Sequence, residues 1–110
     1  YEVILENLFS IVAKIRAGSP KTQVYVQSIL PTNESFKNLL PNFKGKESDI
    51  ITVNTQLGRY GEKMNYVFID LHTKFLDATG KMDAKYVTDG LHLNPLGYQH
   101  WVSILQPYLK

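Results

Sequence analysis

Gln23-Val24-Tyr25-Val26-Gln27-Ser28-Ile29-Leu30 is the stretch that decides the architecture. Val24, Tyr25, Val26, Ile29 and Leu30 fall at both odd and even positions, so the spacing predicts a strand over 23–30 that is apolar on both faces. A strand of that kind belongs inside a parallel sheet. Upstream, Ile4, Leu5, Leu8, Phe9, Val12 and Ile15 recur at helical spacing over 1–17, and Gly18-Ser19-Pro20 ends that helix. Downstream, residues 31–47 read as a long loop opened by Pro31-Thr32-Asn33. A loop of that length in a small domain is functional or mobile.

Residues 48–64 carry a second helical stripe through Ile50, Val53, Leu57 and Met64, with Ser48 as its expected cap. Gly58 and Gly61 run against a helix here. Asn54 lies on the same stripe and reads as a satisfied core amide. Residues 66–71 form a second short strand, almost wholly apolar. Residues 77–83 make an acidic turn that lacks the alternating oxygen ligands of a calcium loop. Residues 95–109 predict a third helix burying Tyr98, Trp101, Val102, Leu105 and Leu109, which Pro107 ends early.

The central strand-helix-strand order implies one right-handed crossover with parallel strands. Two strands, each apolar on both faces, do not make a self-sufficient sheet. The expectation is therefore that the chain is part of a larger α/β sandwich, whose remaining strands precede Tyr1 or come from another chain.

Composition limits the function classes. The 110 residues are 44% hydrophobic and 20% charged, the pattern of an ordinary globular chain. A formal net charge of +2, with scattered lysines, implies neither a nucleic-acid partner nor an acidic membrane surface. No apolar run is long enough to span a bilayer. The absence of Cys excludes a disulfide, a thiolate metal site and a thiol nucleophile.

The chemistry concentrates in Thr88-Asp89-Gly90-Leu91-His92-Leu93-Asn94-Pro95-Leu96-Gly97-Tyr98. A carboxylate that reaches a nearby imidazole fixes its tautomer and stabilises its cation, which is the orienter-and-base pair of nucleophilic hydrolysis. Asn94 is placed to cap a helix whose first residue is Pro95. The same residues also read without chemistry: Asp89 capping the turn through Gly90, with His92 packed under Trp101. His72, after the second strand, reads as a helix-entry or surface residue, and His100 as an exposed one. No pair of histidines has ligand spacing with a third partner, so no metal site is expected, and no cofactor cradle is present. Of Ser10, Ser19, Ser28, Ser35, Ser48 and Ser103, none sits in the Gly-flanked strand-to-helix turn that exposes a nucleophile. Ser28 reads as buried in the first strand.

The block from Thr88 to Asn94, followed by Gly97-Tyr98, resembles the last block of the SGNH hydrolases, also called GDSL lipases or esterases. Val24 to Asn33 resembles the strand that follows that family's third block, and residues 66–71 and 77–86 resemble the run into the His block. The resemblance covers nearly the whole chain, but only the second half of the family's domain. It implies a three-layer α/β/α sandwich with a parallel sheet, of which 1–110 is the C-terminal half. It also implies an ester hydrolase acting on small acyl esters, such as acetyl groups on a sugar. In that family Asp89 would be the orienter and His92 the general base of a Ser-His-Asp triad. The Ser nucleophile and the oxyanion donors would precede Tyr1. The contrasting expectation is an inactive fragment or non-catalytic assembly unit. A flavodoxin-like binding module fits the element order but leaves the Asp-Gly-Leu-His block unexplained.

Overall fold

The computed structural model describes residues 2–37, 39, 41 and 44–109. In chain order its principal elements are α1 (Glu2–Gly18), β1 (Tyr25–Gln27), α2 (Glu47–Met64), β2 (Val67–Ile69) and α3 (Pro95–Leu105). Short 3-10 turns cover Thr73–Phe75, Ala84–Tyr86 and Gln106–Tyr108. The chain divides into two compact units, Tyr1–Ile29 with Ser48–Asp70, and Leu30–Glu47 with Leu71–Lys110.

The first unit is the expected crossover. β1 and β2 pair in parallel, Tyr25 opposite Val67, Val26 opposite Phe68 and Gln27 opposite Ile69. Val12 of α1, Val24 and Val26 of the first strand segment, and Val53 and Leu57 of α2 form one buried cluster with Tyr66. The Tyr66 hydroxyl donates to the Leu57 carbonyl, and burial raises the pKa of the phenol.

β1 corrects the sequence reading. The strand covers three residues instead of eight, and burial alternates from Val24 to Ser28, with Val24, Val26 and Ser28 inside. Tyr25 is 44% exposed and Ile29 38%. Counting apolar residues could not tell a covered face from an apolar face left open, because a two-stranded sheet offers neighbours on only part of its surface. Beyond β1, the amide of Asn54 takes the place of a ladder partner. Its Oδ1 accepts from Ile29 N at 2.7 Å and its Nδ2 donates to Ile29 O at 2.9 Å.

α2 starts one residue earlier than expected. Ser48 lies inside its first turn, not at a cap, and its carbonyl accepts from the Thr52 hydroxyl at 2.9 Å. Contact explains only the second of the two glycines. A Cβ at Gly61 would stand 3.2 Å from the Tyr66 carbonyl, and one at Gly58 would stand 3.5 Å from the Phe68 ring. Gly61 thus lets the chain turn tightly from α2 into β2, closed by Tyr66 N–H donating to Gly61 O at 2.8 Å.

The second unit is held by loops. Phe75 and Met82 are fully buried within it, and Pro31, Thr32 and Asn33 are buried too, so the segment opening the 31–47 stretch is core and not a surface loop. α3 ends at Leu105 and passes into the 3-10 turn that holds Pro107, as the sequence implied. Its buried face is different from the expected one. Tyr98 is 54% exposed and Val102 53%, and Leu109 is more exposed still. Gly97 takes the inner position, where a Cβ would come within 2.4 Å of the Tyr86 carbonyl. Close approach at a small residue, not the widest apolar stripe, chose the packed side.

Candidate active site

Asp89 and His92 sit on a tight turn between two fixed ends. At its base, Val87 and Leu93 form an antiparallel bridge, and Thr88 N–H donates to His92 O at 3.0 Å. Asn94 fixes the exit. Its N–H donates to Tyr86 O at 2.9 Å, its Nδ2 donates to Lys85 O at 2.9 Å, and its Oδ1 accepts from Gly97 N at 2.9 Å. The last bond caps α3, with Pro95 as the first helical residue. Gly90 at the tip has φ +87°, a conformation that any residue with a Cβ disfavours.

The carboxylate closes the turn in three ways. Asp89 Oδ1 accepts from His92 N at 2.7 Å and from Leu91 N at 2.9 Å, while Oδ2 lies 2.7 Å from His92 Nδ1. These bonds, led by the backbone N–H of His92 and then its ring, lower the Asp89 pKa from 3.8 to about 2. At neutral pH the carboxylate is therefore ionised and can only accept, so Nδ1 carries the hydrogen and the lone pair of a neutral ring is left at Nε2. The His92 side chain is 73% exposed and the Asp89 side chain 31%. Both readings of Asp89 thus meet in one residue, as turn cap and ring partner. His92 is not packed away under Trp101. Among the described residues, no serine hydroxyl is hydrogen-bonded to the His92 ring.

The other candidates separate from this pair. His72 does enter a 3-10 turn, but it is buried, with Nε2 2.8 Å from Glu47 Oε1. The second oxygen of that carboxylate, Oε2, is buried with no hydrogen-bond partner among the described residues. His100 is half-buried, against expectation. Its ring stacks on Tyr86 at 4.5 Å between centroids and meets the Phe75 ring edge-on, while Nε2 lies 2.7 Å from Lys74 O. Ser28 is buried, as expected. Ser35 is exposed, and its hydroxyl accepts from Lys81 Nζ at 3.0 Å. Asn33, whose N–H donates to Gly90 O at 2.9 Å and whose Nδ2 donates to Met82 O at 2.9 Å, was not singled out by sequence reasoning. Its long-range contacts with Gly90 and Met82 leave no mark in local spacing, and the only hint was its place at the mouth of the long loop.

Comparison with known proteins gives the family and the fold. The family profile of the GDSL-like lipases and acylhydrolases matches residues 2–100, and the chain belongs to that family. A structure from Streptococcus pneumonia presented as a platelet activating factor is 29% identical and superposes with a TM-score of 0.88, covering 96% of this chain and 50% of that one. The esterase domain of the ORF1 protein of the zebrafish ZfL2-1 retrotransposon is 20% identical, TM-score 0.77, over 98% of this chain and 58% of that one. A GDSL-like lipase from Bacteroides thetaiotaomicron is 19% identical, TM-score 0.71, over 94% and 51% respectively. At such identities the last two show the shared α/β fold alone. No curated protein is detectably similar in sequence. The chain spans about half the length of these solved neighbours.

Proposed function

We propose that this chain supplies the Asp and His of a Ser-His-Asp triad in a carboxylic ester hydrolase. Asp89 acts as orienter and His92 as general base. The observation that carries the reading is the 2.7 Å contact between Asp89 Oδ2 and His92 Nδ1, made by an ionised carboxylate in a chain of the GDSL-like acylhydrolase family. With Nδ1 held as donor, Nε2 takes the proton of an attacking serine hydroxyl, and Asp89 stabilises the imidazolium that results. The imidazolium then gives that proton to the leaving alcohol. In the second half-reaction Nε2 takes a proton from water as the water attacks the acyl-enzyme carbonyl, and returns it to the serine.

The serine and the oxyanion donors belong, on this reading, to an N-terminal half of the same domain. Support comes from the first unit taken by itself. Ile4, Leu8 and Ile11 of α1, with Tyr25 and Ile29, line a groove of about 520 Å³, and Ile4, Ile11 and Tyr25 are well exposed. An apolar surface of this kind marks a binding face. The substrate class is a small acyl ester, with O-acetyl groups on carbohydrate the first to try.

Combining the chain with the Ser-bearing half should give hydrolysis of a short-chain nitrophenyl ester that His92→Ala abolishes. Full activity in that variant would move the base elsewhere. A combined, folded protein without hydrolysis would instead favour a non-catalytic assembly unit.

A further inference from the structure

We propose that Asn33 is a positioning residue for the Asp89–His92 pair, an inference that rests on the hydrolase reading above. Asn33 N–H donates to Gly90 O at 2.9 Å. That carbonyl belongs to the same planar peptide unit as Leu91 N–H, which donates to Asp89 Oδ1 at 2.9 Å. One peptide plane is thus held from both sides, by Asn33 at its oxygen and by the Asp89 carboxylate at its nitrogen. Rotating the plane breaks both bonds together. With them goes the seat of the carboxylate that faces the imidazole.

The side chain of Asn33 is what keeps its own backbone in place. It is 5% exposed, its Nδ2 donates to Met82 O at 2.9 Å, and its Oδ1 accepts from Ser35 N at 2.9 Å. Next to it, Met82 N–H donates to Thr32 O at 3.1 Å. The 32–33 segment is therefore tied to the buried Met82 before it reaches Gly90. The fit at Gly90 is backbone against backbone: a Cβ there would stand 2.5 Å from Asn33 O and 3.0 Å from Phe36 Cβ. So close an approach leaves the turn one resting position. Asn33 makes no hydrogen bond to the imidazole among the described residues, and acts through the peptide plane.

The test uses the full chain for structure and the Ser-bearing combination for catalysis. In the unsubstituted chain, NMR should show a scalar coupling across the hydrogen bond from Asn33 N–H to the Gly90 carbonyl carbon. Its absence overturns the proposal, whatever any variant does. Asn33→Ala removes both side-chain bonds, and Asn33→Asp keeps the acceptor for Ser35 while setting a carboxylate against Met82 O. Both should raise the titration midpoint of the Asp89 carboxyl carbon from about 2 toward 3.8. Both should also lower kcat by about tenfold or more with KM little changed, since only orientation is lost. If one variant fails to fold, the other is read. A folded variant with an unchanged Asp89 midpoint and unchanged kcat overturns the proposal. The titration does not depend on catalysis. A shifted midpoint together with full activity of His92→Ala would sink the reading of His92 as general base and leave the positioning contact standing.

Discussion

The α-carbon of Gly97 faces the carbonyl oxygen of Tyr86 so closely that a Cβ there would lie 2.4 Å from it. The same oxygen accepts from Asn94 N–H at 2.9 Å, so it cannot move aside without loosening the turn that bears His92. Gly97→Ala should therefore destabilise the protein by about 1–3 kcal/mol, the usual cost of forcing atoms into a filled space. Gly58→Ala is the contrasting case, because its nearest contact, at 3.5 Å, is ordinary van der Waals distance within a helix. There the gain in helix propensity should raise stability by up to about 1 kcal/mol. Denaturant midpoints of the two variants check both signs.

Acid should act on the candidate site through Asp89. Its carboxyl is held at about 2 in the folded chain against an ordinary 3.8, by the His92 backbone N–H, the His92 ring and the Leu91 N–H. Because the folded value is the lower one, the stabilisation is fully present above about 3.8 and is lost as pH falls through about 2. Carboxyl-carbon NMR over pH 1–6 measures this directly. A midpoint near 3.8 would mean that the three hydrogen bonds are not made in solution.

His92 separates activity from stability. Its side chain projects into solvent, so His92→Ala should leave the unfolding midpoint almost unchanged. On the proposed function, the same change in the chain combined with a Ser-bearing half should lower kcat by about a thousandfold or more, the scale for loss of a triad base. Ester hydrolysis and thermal unfolding measured on one preparation decide it.

Asn54 should matter out of proportion to its half-buried position. It satisfies both the N–H and the C=O of Ile29, so Asn54→Ala gives up two hydrogen bonds at the end of β1. Water replaces part of that loss at an exposed residue, and the expected cost is about 1 kcal/mol. Amide exchange at Ile29 should accelerate more than at Val26.

Association through the first unit is testable by charge. Ile11 is half exposed and lines the apolar groove. Ile11→Asp should weaken binding to the proposed Ser-bearing half by tenfold or more in a titration, while the isolated chain keeps its secondary structure. Undiminished binding would place the contact elsewhere.

Features set by neighbours in sequence were legible, and features set by distant contacts were not. The Asn94-Pro95 helix start, the Pro107 stop and the Asp89–His92 spacing depend on residues within a turn of one another, and each lies where its pattern implied. The inner face of α3 could not be read in this way. Tyr98, Val102 and Leu109 make the larger apolar stripe, yet Gly97 sets the side that packs, because it alone admits the Tyr86 carbonyl. His100 was misread for a related reason. Its ring lies parallel to Tyr86 within 2°, a contact made across 14 positions that its own helix does not announce. Asn33 is the extreme case, joined to residues 49 and 57 positions away.

The hydrogen bonds that seat His92 against Asp89 span only three positions, and the frame around them closes between Lys85 and Gly97. Closing so short a loop costs little chain entropy. The Asp89–His92 pair can therefore be assembled before, and independently of, more distant contacts. On the proposed reading, half of the site is then a finished part, and the orientational work of catalysis falls on the approach of the serine.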